Sequence, residues 1–579
     1  MADTQSWDVE VDAVVIGSGA GGLTAAVVAA AKGLDVLVIE KSRWIGGTSA
    51  ISGGAIWLPD PEGAGRIGIT DSVDNVMTYL SGTVGAGLPE PLARAFLKTG
   101  PEMLDFLERN SRVKTVRHPG SPDYRSSLPG GATGGRRVDC LPFDGRLLGE
   151  HLLNVRPPLP EFLLFGGMMV NAGDVDLLLK AKRSWKGFVH AARLIGRYAF
   201  DRLRWPRGTR LVVGNALVGR LLRSLLDRGG RYWLNTPAER LIKDNGTVVG
   251  IEVRHDGKLR RIRARRGVVL ATGGFSANAD MVERLLPEFR NAVSVAPLDN
   301  TGDGVRIGTA AGASFAQRGR TGAFWAPASV RTREDGTQAV YPHFFWDRAK
   351  PGMLAVRRDG RRFFDETRSY HDFVMAMADP KSRRNDDAEA YLICDRDTID
   401  RWGLGMAKPG GWPRAELIRS GYLVEAATLA ALAEKLGVDR DEFAHTVTKF
   451  NTDAAKGVDT EFGRGSDAYG RALGDPTVQP NPCMGPVRQG PFYAVTMRPG
   501  IIGTSAGLST NADASVLDDD EKVIPGLYAC GNDMASIMAG EYPGPGITLG
   551  PAMTFGYAAA RHMAGAGSVV QPSNREKAA

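Results

Sequence analysis

A chain of 579 residues is long enough for more than one domain-sized unit. Its four cysteines, Cys140, Cys394, Cys483 and Cys530, show no CxxC or metal-ligand spacing, which excludes a disulfide scaffold and fits a reducing, intracellular compartment. With 43% hydrophobic and 24% charged residues the composition is that of an ordinary globular protein. A net charge of +7 leaves three kinds of partner open: nucleic acid, a membrane surface or an acidic substrate. The amino terminus has no basic region before an apolar core, and the chain has no apolar run of about 18 residues. Neither secretion nor a transmembrane helix is therefore expected, and the expected location is the cytoplasm.

The first element is a buried strand over Val9–Ile16, followed by Gly17-Ser18-Gly19-Ala20-Gly21-Gly22, an alanine-rich helix over residues 23–32 and a second strand ending at Glu40. Strand, glycine turn, helix, strand and acid within about 30 residues is the full dinucleotide-binding context. Gly17 permits the tight turn, Gly19 the backbone approach to a pyrophosphate, and Gly22 close helix packing, while Ala20 and Gly21 open the helix whose amino end favours phosphate. Glu40 is placed to accept from a ribose. A second glycine and hydroxyl run follows, from Lys41 through Gly47, Thr48 and Ser49 to Gly53 and Gly54. It lets backbone amides and small side chains surround a bulky cofactor.

This segment resembles the flavoproteins of the fumarate reductase and succinate dehydrogenase superfamily, in which an acid followed by Gly-Gly-Thr/Ser lines FAD. Residues 268–275, with Thr272 and Gly273, resemble the family's strand-to-turn segment. Residues 525–533, with Asn532 and Asp533, resemble the segment that returns to the pyrophosphate. Pro551 and Ala552 open a helix whose amino terminus would face the flavin. The resemblance implies FAD as the cofactor. No second GxGxxG follows a strand, so a separate NAD(P)H domain is not indicated.

The motif order implies an α/β fold: a Rossmann-like FAD-binding domain of the glutathione-reductase type, interrupted by an α+β catalytic cap domain. Residues 1–320 and 496–579 are expected to build the FAD domain and residues 321–495 the cap, with a basic insertion at about 158–210 and a flexible tail from about 565.

The substrate reading rests on the segment from Glu541 to Gly546. Fumarate reductases carry there an arginine suited to a dicarboxylate, and this chain has none. Tyr542-Pro-Gly-Pro-Gly546 instead resembles the 3-ketosteroid dehydrogenases, where a tyrosine hydroxyl and a glycine amide hold the C3 carbonyl. Two neutral donors on a ketone oxygen stabilise an enolate and acidify the adjacent C–H. The resemblance further implies that Tyr370 is the base that removes the C2 proton, assisted by Tyr124, while FAD takes the C1 hydride. Tyr341 and His371 are substitutes for these roles. Because tyrosine has a pKa near 10, a neighbour is expected to lower that of the base. The activity implied is Δ1-desaturation of a 3-ketosteroid in steroid degradation, with reoxidation by a quinone or similar acceptor. The nearest alternative is C4–C5 desaturation; a fumarate-type reductase and a non-catalytic flavin protein stand further off. Histidines are few and no carboxylate cluster suggests a metal.

Residues 177–210 hold ten lysines and arginines against the single Asp201, so this segment carries a net +9 and the remainder of the chain −2. At 100° per residue Trp185, Phe188, Val189, Ala192, Ile195, Gly196, Ala199 and Leu203 share one face. A basic amphipathic helix over about 177–205, beside the apolar residues 162–170, fits peripheral contact with the inner face of the cytoplasmic membrane. The bland reading packs that face on the protein body. Nucleic acid is not an expected partner.

Overall fold

The computed structural model describes residues 6–181, 184–344, 346–378 and 388–565. The expected tail from 566 onward, and Lys182 and Arg183 of the basic segment, lie outside the described residues.

Val9–Ile16 is rich in β-branched residues, and its second half is fully buried. It lies at the centre of a sheet, pairing in parallel with Val36–Ile39 on one side and Lys258–Leu270 on the other. Arg231–Trp233 extends the parallel sheet beyond Val36–Ile39, and Val523–Ala529 extends it beyond Lys258–Leu270. The last pairing brings the carboxyl-terminal part of the chain back to the sheet of its start. The crossover helix Ala20–Ala31 is buried along most of its length, and it packs closely on the helix Leu549–Gly565. A Cβ at Gly21 would stand 2.9 Å from the Ala552 carbonyl oxygen, so this residue serves helix contact.

A second, antiparallel sheet carries the cap. Its order is Gln338–Pro342, Ala323–Thr332, Phe492–Thr504, Ala390–Asp395, Leu354–Val356. The long strand Phe492–Thr504 stays in this sheet to its end, and Val293–Ser294 also joins it. The cap sheet therefore runs past the boundary expected at 495 and takes in a short strand from before residue 321. Hydrophobic patterning alone does not mark where one strand leaves a domain.

In the basic insertion the helices Ala172–Leu179 and Trp185–Arg202 form, with Ser184 capping the second. Its apolar face points outward. Trp185 is 78% exposed, Phe188 54% and Leu203 79%, and Phe165 on the adjoining loop is 68% exposed. The opposite side buries Gly187, Leu194 and Asp201, with His190 bonded to Asp174 (2.9 Å). Asp201 accepts from the Thr209 amide and hydroxyl at 2.9 and 2.8 Å. The reading in which the apolar face packs on the body is thus corrected: its hydrophobic residues face solvent, and the bonds of His190 and Asp201 go to Asp174 and Thr209 within the insertion itself. Among the described residues, no helix is long and apolar enough to cross a membrane.

Candidate active site

The cofactor cradle begins where strand Val9–Ile16 ends. Gly17 has φ +101° and a Cβ there would stand 2.2 Å from the Ala271 carbonyl oxygen, so only glycine fits the turn. The following helix has Gly19 at its N-cap with no side-chain cap. Its early N–H groups can therefore meet phosphate oxygens, except that Ala20 N–H already donates to Ser49 Oγ at 2.9 Å. Glu40 is buried and accepts from Ser18 Oγ (2.6 Å), Ser18 N–H (3.1 Å) and Ser42 N–H (2.8 Å). Burial pushes its carboxyl up, against those bonds. Nothing lies within 4 Å of a Cβ built on Gly47 or Gly53, which marks open space beside the loop. Asn532, Pro551 and Ala552 line a cavity together with Phe324, Thr548 and Phe555. An uncapped helix start, an acid for a ribose and open space flanked by small residues fit a dinucleotide-linked flavin.

Several of the expected cofactor residues support this cradle from behind. Lys41 donates to Thr301 Oγ1 (2.6 Å) and pairs with Asp303 (2.7 Å). Thr48 accepts from Asn300 at 3.0 Å, and Asn300 also donates to the Gly273 carbonyl. Gly54 packs on residues 213–214, and Gly22 on the Gly17 carbonyl. Asp533 is fully buried, accepts from Thr272 N–H, Thr272 Oγ1 and Gly274 N–H, and has its pKa raised to about 6 by burial. Its carboxylate shapes the Thr272 turn.

The three expected tyrosines meet although they come from distant segments. Tyr124 Oη lies 3.2 Å from Tyr370 Oη, and the pair is 246 residues apart in sequence. The Tyr542 ring stacks on Tyr124 (centroids 5.7 Å, 12° between planes) and lies 5.0 Å from Tyr370, nearly edge-on. All three are buried. Phe324, which lines the same cavity as Asn532 and Ala552, sits edge-on to Tyr542 at 5.5 Å, so cavity and cluster adjoin.

Backbone bonds hold the cluster. The Pro543 carbonyl accepts from Tyr124 N–H (2.9 Å) and Tyr79 Oη–H (2.6 Å), which ties the Tyr542 segment to the Tyr124 loop. Asp123 accepts from Trp57 Nε1 (2.9 Å) and Arg136 (2.7 Å), and Trp57 N–H donates to the Gly546 carbonyl (3.0 Å). Gly546 has φ +95°, and its Cβ would stand 2.3 Å from the Ala55 carbonyl oxygen; no other residue fits there.

Burial pushes the Tyr124, Tyr370 and Tyr542 hydroxyls up. For Tyr370 the hydroxyls of Tyr124 and Tyr542 act in the same sense. The expected lowering of the base by its neighbours is not seen in the free site: desolvation and the neighbouring hydroxyls all raise Tyr370. A raised pKa suits Tyr542, whose role as donor needs the neutral form. Of the substitutes, Tyr341 stacks on Phe162 at 5.0 Å and so belongs to another part of the cap. His371 is kept neutral, its pKa lowered to about 4 by burial, with Trp325 N–H donating to Nδ1 at 3.3 Å.

Sequence reasoning missed Tyr469, whose ring lies 4.8 Å from Tyr124 and whose buried hydroxyl has no partner among the described residues. It also missed Phe344, 5.0 Å from Tyr370. Neither carries a local motif. Ligand atoms of His371, Asp372 and Glu541 lie within 4.8 Å of one another, but the Arg125 guanidinium bonds to both carboxylates and serves as their cation.

A family model described as an FAD binding domain matches residues 12–549. The chain belongs to this family. FAD is its cofactor, and the α/β fold is shared with a flavocytochrome c3 fumarate reductase, at a TM-score of 0.62 and 22% identity. A 3-oxosteroid 1-dehydrogenase of Mycolicibacterium smegmatis is 37% identical, over 96% of this chain and 97% of the relative. A 4-oxocyclohex-2-ene-1-carboxylate 5-dehydrogenase of Sinomonas cyclohexanicum is 36% identical, over 97% of this chain and 95% of its own. The crystal structure of 3-ketosteroid delta1-dehydrogenase from Sterolibacterium denitrificans, in complex with 1,4-androstadiene-3,17-dione, superposes with a TM-score of 0.88. It is 36% identical, covering 96% of this chain and 99% of the other.

Proposed function

We propose that the protein is an FAD-dependent 3-ketosteroid 1-dehydrogenase. The observation that carries this is the meeting of Tyr124, Tyr370 and Tyr542 beside the cavity lined by Asn532, Pro551 and Ala552, with Gly546 held against the strand Ala55–Trp57. Bound FAD supplies the hydride acceptor for the hydrogen leaving C1. The chain supplies the rest. Tyr542 Oη–H and Gly546 N–H donate to the C3 carbonyl oxygen, which stabilises the charge that develops there and acidifies C2. Tyr370 accepts the C2 proton, and its bond to Tyr124 orients its lone pair and shares the proton. Loss of hydride from C1 and proton from C2 leaves the C1–C2 double bond. A quinone or similar acceptor takes the electrons onward.

The Sinomonas relative acts on a smaller cyclic ketone, for which the same carbonyl grip would serve. Anaerobic mixing of the yellow protein with androst-4-ene-3,17-dione, and separately with 4-oxocyclohex-2-ene-1-carboxylate, distinguishes them. Bleaching by the steroid at a much lower concentration is the expected result. Bleaching by the carboxylate alone would replace the steroid with a monocyclic substrate.

A second observation supports peripheral attachment to the cytoplasmic membrane. The outward apolar face of Trp185–Arg202 is flanked by the exposed Lys186, Arg193, Arg202 and Arg204, and by Phe165 on the loop bonded to Tyr198 (3.2 Å). Aromatic residues at the centre and cations at the rim fit an anionic bilayer surface, where a lipophilic steroid and a quinone both reside. The wild type is expected to sediment with vesicles containing anionic phospholipid, and the Trp185→Ser/Phe188→Ser variant to stay in the supernatant. A concentration-dependent dimer abolished by the same substitutions would assign the face to a second copy.

A further inference from the structure

Each tyrosine of the cluster has an ionised neighbour in the chain, and these neighbours meet. Arg125 follows Tyr124, Asp372 lies two residues after Tyr370 on the cap helix Tyr370–Met377, and Glu541 precedes Tyr542. Arg125 donates through Nε to Asp372 Oδ2 (3.2 Å) and through Nη2 to Asp372 Oδ1 (2.5 Å) and Glu541 Oε2 (2.7 Å). Its remaining Nη1 donates to the Thr83 carbonyl at 3.1 Å. Glu541 Oε1 is held in turn by Arg320 at 2.9 Å.

The side chains of Arg125, Asp372 and Glu541 are only 22%, 15% and 11% exposed, so solvent screens their attraction far less than at an open surface. Burial acts to raise the Asp372 pKa, but the bonds and charge of Arg125 outweigh it and hold the carboxyl below its usual range. Ser369 Oγ accepts from Asp372 N–H at 3.0 Å, which fixes the first turn of the helix. A shift of Asp372 therefore moves Tyr370 with it.

We propose that Arg125 is a positioning residue for the 1-dehydrogenation. Its bonds to Asp372 on the cap and to Glu541 on the last FAD-domain segment set the placement of Tyr124, Tyr370 and Tyr542 against one another and hold the cap shut on them. This inference rests on the tyrosine mechanism above. A planar guanidinium suits the task because it reaches two carboxylates at once in fixed directions, which a lysine ammonium does not. Misplacement of a reacting group by about 1 Å costs on the order of 10²-fold in rate.

The test compares wild type, Arg125→Gln, Asp372→Asn and the double variant in steady-state turnover of androst-4-ene-3,17-dione with an artificial acceptor. Wild-type turnover establishes the reaction independently of the clamp; if the wild type is inactive, the functional reading fails and the clamp is not what failed. With an active wild type, kcat of each single variant is expected to fall about 10²-fold, with KM within about threefold and flavin content and thermal midpoint unchanged. The double variant should lose no more than the worse single one, since both break one unit. Should Arg125→Gln lose its flavin or fold, Asp372→Asn carries the test, because it keeps the guanidinium and its bond to the Thr83 carbonyl. Full kcat in the single variants, or losses that multiply in the double one, would overturn the proposal.

Discussion

The flavin cradle and the tyrosine cluster are adjacent but are held in opposite ways. The cradle is mostly local: the Gly17 turn, the uncapped helix start at Gly19 and the acid at Glu40 lie within one short strand-helix-strand unit. Its turn is enforced by close backbone packing: a Cβ at Gly17 would stand 2.2 Å from the Ala271 carbonyl oxygen. The cluster is non-local. Its three tyrosines come from a loop, a cap helix and the last FAD-domain segment, and polar bonds such as Tyr124 N–H to the Pro543 carbonyl hold them together. Changes in the cradle should therefore remove the cofactor, whereas changes in the cluster should leave a yellow protein that does not turn over.

The largest effect that would test this contrast is in the cradle. Gly17→Val should abolish flavin binding, seen as loss of the visible flavin absorbance in purified protein; a yellow variant would show that the turn is not enforced by the Ala271 contact. Next comes Tyr370→Phe, expected to retain flavin while kcat falls by about 10³-fold through loss of the base. Loss of flavin in that variant would mean that cradle and cluster are not separable. Tyr542→Phe should cost about 10²-fold in kcat with flavin retained, the loss of one carbonyl donor.

A smaller, graded effect follows from burial. Tyr370 is raised above the usual tyrosine value, and the base must be deprotonated to act. The rate should thus rise with pH, by close to tenfold per unit and without a plateau below about pH 10. A profile that levels off near neutrality would mean that bound substrate and flavin reverse the direction seen in the free site. Trp185→Ser should have the least effect on turnover of soluble substrate, and its change should be confined to vesicle binding.

The same contrast explains what the sequence revealed. The strand Val9–Ile16, the glycine turn and Glu40 were legible because spacing over a few residues encodes them. The tyrosines, and the assistance of Tyr370 by Tyr124, were legible only through family resemblance, since a 3.2 Å approach across 246 residues leaves no periodic signal. Tyr469 and the Arg125 ion pairs were invisible for the same reason. The expected cap boundary at 495 falls inside Phe492–Thr504, one continuous strand whose pattern does not change there. The amphipathic helix was legible as a pattern, but the burial of its polar side was not, since its partners Asp174 and Thr209 lie outside the helix itself.

The most direct test of the central claim is the position of the double bond formed from 5α-androstane-3,17-dione, in which both C1–C2 and C4–C5 are saturated. Purified enzyme with an artificial acceptor should yield the 1-ene, identified by its vinylic proton pair in the NMR spectrum. Formation of the 4-ene, or flavin that stays oxidised with this steroid and with androst-4-ene-3,17-dione alike, would contradict the account.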